Sequence, residues 1–216
     1  MVNLKKLVKM NGEERVNFVL DGNFTLVELD EIIDFLAKED DTWTLSDIGR
    51  FCEDLETMRH FACIDNESIK TGLADNEKVS VDLLLLMAND PLNWVQYHVA
   101  QNPKTPANVS IELYTKLAKC DDVEVRQNMA EDRLPKQIYA LLADDEDEQV
   151  RISVAENDRT PKEVLTAMAD DESEDVRYSL LTNIHTPNAI KKRLEEDEDV
   201  ENVGRSEIEN IMNIFK

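Results

Sequence analysis

The chain has 216 residues, of which 47 are acidic and 24 are basic, so its formal net charge at pH 7 is −23. Residues 1–80 carry 18 acidic and 9 basic side chains and residues 81–216 carry 29 and 15, so both parts are acidic. Such a chain repels nucleic acid and anionic membranes, and we expect it to bind neither directly. It should attract a protein partner with a basic surface, although the same charge also serves solubility alone. The sequence leaves its oligomeric state open.

The composition favours helices. Glycine (5 residues), proline (6 residues) and aromatic residues (6%) are scarce, which predicts an all-α fold. The three cysteines, Cys52, Cys63 and Cys120, are too few for a disulfide framework, so we expect a reducing, cytoplasmic location. The longest apolar run, residues 83–88, is too short to cross a membrane, and no signal peptide is visible.

Residues 1–80 form the first predicted domain, a helical region that either caps the later part of the chain or holds diverged copies of its repeat. One helix is predicted to begin at Thr25, with a capping box to Glu28 and a single apolar stripe after it. A second helix is predicted over residues 45–65. Its apolar face would contain Ile48, Phe51, Leu55 and Met58. The segment MRHFACIDNES, with Arg59, Ala62 and Asn66, faintly repeats a pattern found later in the chain.

Residues 81–216, the second predicted domain, repeat four landmarks in one order: an acidic cluster, a Val-Arg element, an apolar pair and a Thr-Pro element. The prolines of the last landmark are 29, 26 and 26 residues apart. Regular periods of this size are typical of solenoids. The Val-Arg element occurs as Val95-Gln96, Val125-Arg126, Val150-Arg151 and Val176-Arg177. The Thr-Pro element occurs as Thr105-Pro106, Leu134-Pro135, Thr160-Pro161 and Thr186-Pro187.

Each copy is interpreted as two short helices joined by an acidic turn. Thr160 would be the N-cap of the first helix, Pro161 its first residue, and Glu163 the partner in a capping box. The acidic cluster would meet the positive end of the second helix dipole. An Asn-containing turn would then lead into the next copy. Apolar residues at a spacing of four, such as Val176 and Leu180, would form the buried face.

These landmarks resemble the leucine-rich repeat variant family and its HEAT-like relatives, over about residues 81–203. There are four recognisable copies, and a fifth, IKKRLEEDEDVENV, is degenerate. The resemblance implies a right-handed α-solenoid of short helix pairs with an N-terminal helical cap. It also implies that Arg126, Arg151 and Arg177 form a structural ladder with aspartates between neighbouring copies. The founding example of the family carries an N-terminal cysteine cluster with an iron–sulfur centre. Cys52 and Cys63 are eleven residues apart with no clustered partners, so we expect no cofactor.

The sequence offers little that points to catalysis, and we expect no enzymatic activity. It contains no P-loop, GxGxxG, GxSxG or HExxH motif. Cys52, His60 and Cys63 are interpreted as ordinary helix residues rather than zinc ligands. The cluster DDEDE lacks the glycine and the spaced ligands of an EF-hand loop. Some HEAT-like proteins are DNA glycosylases, and Trp94 could serve such an enzyme, but this chain lacks a basic footprint for phosphates.

The acidic turns of successive copies would line one edge of a stack, about 10 Å apart. We call this edge the acidic ridge. The leading functional hypothesis is a non-catalytic protein–protein interaction module that uses it. The alternative is a DNA mimic that inhibits a nucleic-acid-binding protein, for example a phage-encoded anti-defence protein. A solvated edge without a partner also fits. The ridge carboxylates are Asp121, Asp122, Asp144, Asp145, Glu146, Asp147, Glu148, Asp170, Asp171, Glu172, Glu174, Asp175, Glu195, Glu196 and Asp197.

Overall fold

A computed structural model describes residues 4–197 and Val200 of the chain. Every regular element in this described part is helical, so the predicted all-α class is confirmed. The chain forms two compact units, Met1–Leu113 and Tyr114–Lys216. The division expected near residue 80 stays a prediction, and so does the end of the degenerate fifth copy, which lies beyond the described residues.

The helices up to the unit boundary are short. They are α1 Leu4–Leu7, α2 Gly12–Asp21, α3 Leu26–Lys38, α4 Thr42–Phe51, α5 Leu55–Phe61, α6 Glu67–Ala74, α7 Val81–Met87 and α8 Asn93–Gln101. The next helix, α9 Ala107–Leu117, includes the boundary between Leu113 and Tyr114. The later described helices are α10 Val123–Glu131, α11 Lys136–Leu142, α12 Glu148–Glu156, α13 Lys162–Ala167, α14 Glu174–Thr182 and α15 Asn188–Glu195. A 3-10 turn, Met168–Asp170, extends α13.

In the first unit, α2, α4, α6 and α8 pack against one another in that order. The approach of α4 to α6 depends on two glycines. A Cβ on Gly72 would overlap the carbonyl of Ser46, and one on Gly49 would overlap the carbonyl of Ile69. Because both obstacles are backbone atoms, a larger residue at either position would force the two helices apart.

In the second unit, α10, α12 and α14 pack in the same successive way, and α15 packs on α14. Each helix buries the predicted pair of apolar residues four positions apart. Val150 and Val154 of α12 and Val176 and Leu180 of α14 are completely buried. The apolar periodicity read from the sequence is therefore confirmed in these copies, and each helix face is covered by its neighbour.

Two predictions about helices in the first unit have different outcomes. The capping box of Thr25 and Glu28 is confirmed at the start of α3. The single helix over residues 45–65 is wrong, because residues 52–54 separate α4 from α5. Asp54 is the N-cap of α5 and accepts the amide hydrogen of Thr57 at 2.7 Å. The predicted apolar face is also divided: Ile48 and Met58 are buried, whereas Phe51 and Leu55 are about half exposed.

The Thr-Pro elements do not cap helices as predicted. The N-cap position of α13 is Pro161, and no side chain among the described residues caps that helix. Thr160 is buried instead, and its hydroxyl donates to the carbonyl of Val154 at 2.7 Å. Thr105 makes the equivalent bond to the carbonyl of Val99 at 2.6 Å. The threonine therefore ties the turn back to the preceding helix, because its hydroxyl meets a carbonyl at the end of that helix.

Candidate acidic interaction surface

Arginines in successive copies of the second unit hold the acidic turns together. The guanidinium of Arg126 donates two hydrogen bonds to Asp145, at 2.8 and 3.0 Å, and that of Arg151 donates two to Asp171, at 2.9 and 3.2 Å. The Arg177 Nε donates to Asp197 at 2.9 Å. Each arginine reaches about 20 residues ahead, into the turn of the next copy. We call these three pairs the arginine ladder.

Each ladder arginine is also bound within its own copy. Its Nη1 donates to a backbone carbonyl six residues earlier, at 2.6 Å for Arg126, 2.9 Å for Arg151 and 2.8 Å for Arg177. The hydrogen bond that Arg126 donates to the Asp145 carboxylate raises the pKa of its guanidinium. Arg126 and Arg151 thus each connect two turns through a charge-assisted, bidentate contact of the strong kind.

The same arrangement occurs once in the first unit, where the sequence reading missed it. Lys70 Nζ donates to Asp90 Oδ2 at 2.7 Å across 20 residues, and both side chains are buried. The missed signal is IKTGLADN, residues 69–76, which matches VRxxVAxN with Lys in place of Arg. In the fainter echo MRHFACIDNES, Asn66 is the N-cap of α6.

Recurring asparagines form a second set of bridges. Asn157 Nδ2 donates to the carbonyls of Ala130 and Asp132, at 2.7 and 2.9 Å. Asn183 Nδ2 donates to the carbonyls of Ala155 and Asn157, at 2.7 and 3.2 Å. In the first unit, Asn76 binds two carbonyls at the end of α4 in the same way. The sequence shows this asparagine in the turns of all but one of the four predicted copies, where Asp132 replaces it, but its partners lie about 26 residues away and could not be named from it.

Five of the ridge carboxylates have a structural task. Asp145, Asp171 and Asp197 are the partners in the arginine ladder, and the first two are at most 8% exposed as side chains. Asp122 and Asp147 are the N-caps of α10 and α12, and each accepts two backbone amide hydrogens. These five carboxylates are therefore occupied within the fold.

The other ten ridge carboxylates are exposed to solvent. Glu146, Glu172 and Asp170 have side chains 92%, 91% and 86% exposed. Glu146 lies 3.8 Å from the guanidinium of Arg126, and Glu172 lies 3.7 Å from that of Arg151, so the two glutamates occupy the same place in successive copies. The exposed ridge carboxylates are Asp121, Asp144, Glu146, Glu148, Asp170, Glu172, Glu174, Asp175, Glu195 and Glu196.

A cleft lies between each pair of neighbouring acidic turns in the described part of the second unit. We call these the ridge clefts. The largest, about 690 Å³, lies between residues 144–146 and 170–172. The cleft on one side of it, about 400 Å³, lies between residues 119–121 and 144–146. The cleft on the other side, about 520 Å³, lies between residues 170–171 and 196–197. Each is lined by one ladder arginine together with the aspartate that binds it.

The largest ridge cleft is lined by both apolar and acidic side chains. Its apolar lining residues are Ala140 and Ala143 of the α11 segment and Val164, Ala167 and Met168 of the α13 segment. Seven carboxylates and two cations line the cleft. Arg151 is bound by Asp171, and Lys136 Nζ lies 3.1 Å from Glu163. The cleft therefore has an excess of five negative charges beside apolar side chains.

Two of the histidines and two of the cysteines are engaged or masked. His60 contacts Asp30 at 2.6 Å, and His98 contacts Asp75 at 2.8 Å. Burial raises the pKa of the Cys52 thiol to about 11 and also raises that of Cys120, so neither is a ready thiolate at neutral pH. Among the described residues, no three His, Cys, Asp or Glu side chains are grouped to hold a metal ion.

None of the described helices is both long and apolar enough to cross a membrane. Comparison of the chain with protein-family models, with curated proteins and with solved structures finds no match. The resemblance to leucine-rich repeat variant proteins accordingly depends on the residues of this chain alone.

Proposed function

We propose that this chain is a non-catalytic interaction module that binds a protein with a basic surface through the exposed carboxylates of the acidic ridge. One observation supports this most directly. Of the fifteen ridge carboxylates, five are ladder partners or N-caps and ten are exposed, and the exposed Glu146 and Glu172 occupy equivalent places in successive copies. Like charges placed so close repel one another and oppose the compact state, so their repetition favours a role outside folding.

We further infer that the copies stack as a right-handed α-solenoid of the leucine-rich repeat variant or HEAT-like type, with the first helices as its cap. The arginine ladder and the asparagine bridges support this arrangement, since each joins one copy to the next. A stack of this kind displays an extended surface suited to a partner. A reducing, cytoplasmic location belongs to the same proposal and is supported by three free cysteines.

The experiment is capture of proteins from a nuclease-treated lysate with three baits. The first is the wild-type chain. The second carries Asp144→Asn, Glu146→Gln, Asp170→Asn and Glu172→Gln, which neutralise four exposed carboxylates that line the largest ridge cleft. The third is a matched control with exposed carboxylates of the first unit replaced: Glu31→Gln, Asp34→Asn, Glu39→Gln and Asp65→Asn.

We expect the wild-type bait and the control bait to retain basic proteins that the second bait does not retain. Their release should increase with salt, because screening weakens contacts between exposed charges. Equal capture by all three baits would contradict the proposal, since net charge alone would then explain the binding.

A DNA mimic is the second candidate, and the regular recurrence of exposed carboxylates favours it. The captured protein would then be one that binds nucleic acid. Duplex DNA should displace it from the wild-type bait in proportion to its concentration. Capture that added DNA does not affect would contradict mimicry and leave the interaction module in place.

A further inference from the structure

One position of the first unit departs from the pattern of the asparagine bridges. Asn76 stands two residues after Ala74, and the carbonyl of Ala74 is bound by the asparagine of the next copy. Asn76 itself binds the carbonyl of Gly49. The place two residues after Gly49 is occupied by Phe51. Phe51 therefore stands where an asparagine would bind the preceding turn, and its ring can donate no such hydrogen bond.

The carbonyls that this missing bridge would bind lie at the end of α2. Helix α2 packs on α4 as α4 packs on α6, so the equivalent acceptors are its last carbonyls. Among the described residues, no backbone or side-chain donor binds the carbonyls of Leu20 and Asp21. Helix α2 has ten residues, and the last carbonyls of a helix carry its negative partial charge. The end of α2 is therefore an electronegative surface that no asparagine covers.

A cleft of about 700 Å³ lies at this place, between residues 19–26 and residues 51–57. We call it the aromatic cleft. Its volume is in the range of sites for small molecules, about 300–1,000 Å³. Three phenylalanines line it, namely Phe24, Phe51 and Phe61. Because Phe51 is 55% exposed, the cleft presents an aromatic ring that the fold does not cover.

The lining of the aromatic cleft is fixed by the fold. A Cβ on Gly22 would overlap the ring of Phe24, so the glycine is what allows this ring to fold back on the turn. The ring of Phe18 supports Phe24 from the side, with 5.2 Å between the ring centroids. Phe61 is completely buried. A ligand would therefore meet side chains that are already in place, which lowers the cost of binding.

The charge of the aromatic cleft selects the sign of the ligand. Among the described side chains, four carboxylates and no cation line it: Asp21, Glu53, Asp54 and Glu56. Thr57 donates its amide and its hydroxyl hydrogen to Asp54, both at 2.7 Å, and these bonds hold the pKa of Asp54 below its ordinary value. An anion would be repelled. A cation would be attracted by the carboxylates, by the end of α2 and by the aromatic rings.

We propose that the aromatic cleft binds a small organic cation with an apolar body, such as a quaternary ammonium ion or an aromatic amine. The apolar part would pack on the phenylalanines, and the cationic group would lie at the end of α2, near Asp21 and Glu56. This site belongs to the first unit and does not depend on the function proposed above.

The test is a titration of the full, isotope-labelled chain followed by NMR, because the shifted amide signals locate the bound probe. Benzyltrimethylammonium combines a cation with an apolar body. Tetramethylammonium is the cation alone, benzyl alcohol is the apolar body alone, and benzoate is an anion of similar shape. We expect benzyltrimethylammonium to bind at least tenfold more tightly than each of the other three, with the largest shifts in residues 19–26 and 51–57.

A substitution that restores the asparagine tests the origin of the cleft. Phe51→Asn should weaken the binding of benzyltrimethylammonium at least tenfold. It should not lower the thermal midpoint, since the new amide can bind the carbonyls at the end of α2. Its control is Leu86→Asn, which replaces an apolar side chain that is 51% exposed on α7 and should keep the affinity within twofold.

A second variant tests the carboxylates and does not depend on the folding of the first. Asp21→Asn with Glu56→Gln removes two charges of the aromatic cleft and should weaken binding at least threefold. Glu31→Gln with Glu39→Gln removes two exposed charges elsewhere and should leave the affinity within twofold of the wild type.

Equal affinity for benzyltrimethylammonium and tetramethylammonium would overturn the proposal, because net charge alone would then explain the binding. Shifts centred on the acidic turns of the second unit would do the same, and so would an affinity that Phe51→Asn leaves unchanged. A trimethyllysine peptide that binds more tightly than benzyltrimethylammonium would assign the cleft to a protein side chain and overturn the small-molecule site. Capture from lysate by the acidic ridge is independent of each of these results.

Discussion

Arg151 and Asp171 lie 20 residues apart in sequence and are joined by two hydrogen bonds of 2.9 and 3.2 Å, with both side chains less than a tenth exposed. The pair joins two neighbouring copies of the repeat. Arg126, Arg151 and Arg177 each bind an aspartate in the turn of the next copy. The aspartate thereby has a structural role, while Glu172 beside it stays exposed.

Loss of one partner of the arginine ladder should destabilise the second unit strongly. Arg126→Met leaves the Asp145 carboxylate buried without its partner, and we expect the free energy of unfolding to fall by about 3 kcal/mol. Arg126→Met combined with Asp145→Leu should recover much of that loss, because no charge then stays buried. Urea unfolding followed by circular dichroism measures both values.

The control for the ladder is the exposed pair Lys136–Glu163, whose side chains are 59% and 71% exposed. Glu163→Gln should change the free energy of unfolding by less than about 1 kcal/mol. If Glu163→Gln lowered the free energy of unfolding as much as Arg126→Met does, burial would not determine the strength of these ion pairs.

Two equivalent threonines should respond oppositely to the loss of their hydroxyl. Thr160→Val removes the hydrogen bond to Val154 and should cost about 1 kcal/mol. Thr186 is equally buried, but its hydroxyl has no hydrogen-bond partner among the described residues. Thr186→Val should therefore leave the thermal midpoint unchanged or raise it. A similar loss for both variants would contradict the difference between the two sites.

Glycine at the contact of α4 and α6 should not tolerate a methyl group. Gly72→Ala brings a Cβ against the backbone of Ser46, and we expect a loss of about 1–3 kcal/mol in the free energy of unfolding. Gly12→Ala is the matched control, because its Cβ would meet the ring of Trp43, a side chain 58% exposed that can move aside. Equal effects of the two substitutions would argue against a close helix contact at Gly72.

The ion pair of Arg15 and Asp41 should make the first unit less stable in acid. Burial acts to raise the pKa of Asp41, but hydrogen bonds from Arg15 and Thr44 outweigh it and hold that pKa below the ordinary 3.8. The stabilisation is thus present above about pH 3.8 and lost as the pH falls through the lower, folded-state value. Asp41→Asn should destabilise the chain at neutral pH and have no effect at the acid end.

Arg15→Met should lose the same pH dependence, since it removes the partner that lowers the pKa of Asp41. Thermal unfolding of the two variants and the wild type across the acid range measures this. A pH profile unchanged by either variant would contradict the assignment.

The sequence predicted the helical class and the apolar face of each copy because these depend on local periodicity, as at Val150 and Val154. It missed Lys70 because the repeat was recognised by its arginine. The contact itself requires only a cationic side chain that is long enough to reach the next turn, and lysine also meets that requirement. The two roles of Thr160 cannot be separated locally, since a Thr-Pro pair suits a helix start as well as a bond back to Val154. The break between α4 and α5 was hidden because the apolar spacing continues in phase from Ile48 to Met58.

The roles of the ridge carboxylates also could not be predicted from the sequence alone. The cluster DDEDE contains a ladder aspartate, an N-cap aspartate and exposed acids, and nothing in its letters separates Asp145 from Asp144. Only the position of Arg126 in the preceding copy selects which carboxylate is buried. The sequence therefore predicted the acidic turns, and the three-dimensional contacts divide their carboxylates into structural and exposed members.

We propose that the exposed ridge carboxylates bind a basic partner. The most direct measurement is the dissociation constant of the captured partner for the wild type, for the variant Asp144→Asn, Glu146→Gln, Asp170→Asn, Glu172→Gln, and for the matched control in the first unit. We predict that the ridge variant binds at least tenfold more weakly while the control stays within twofold of the wild type. Equal weakening by the ridge variant and the control would contradict the claim and reduce the ridge to a solvated edge.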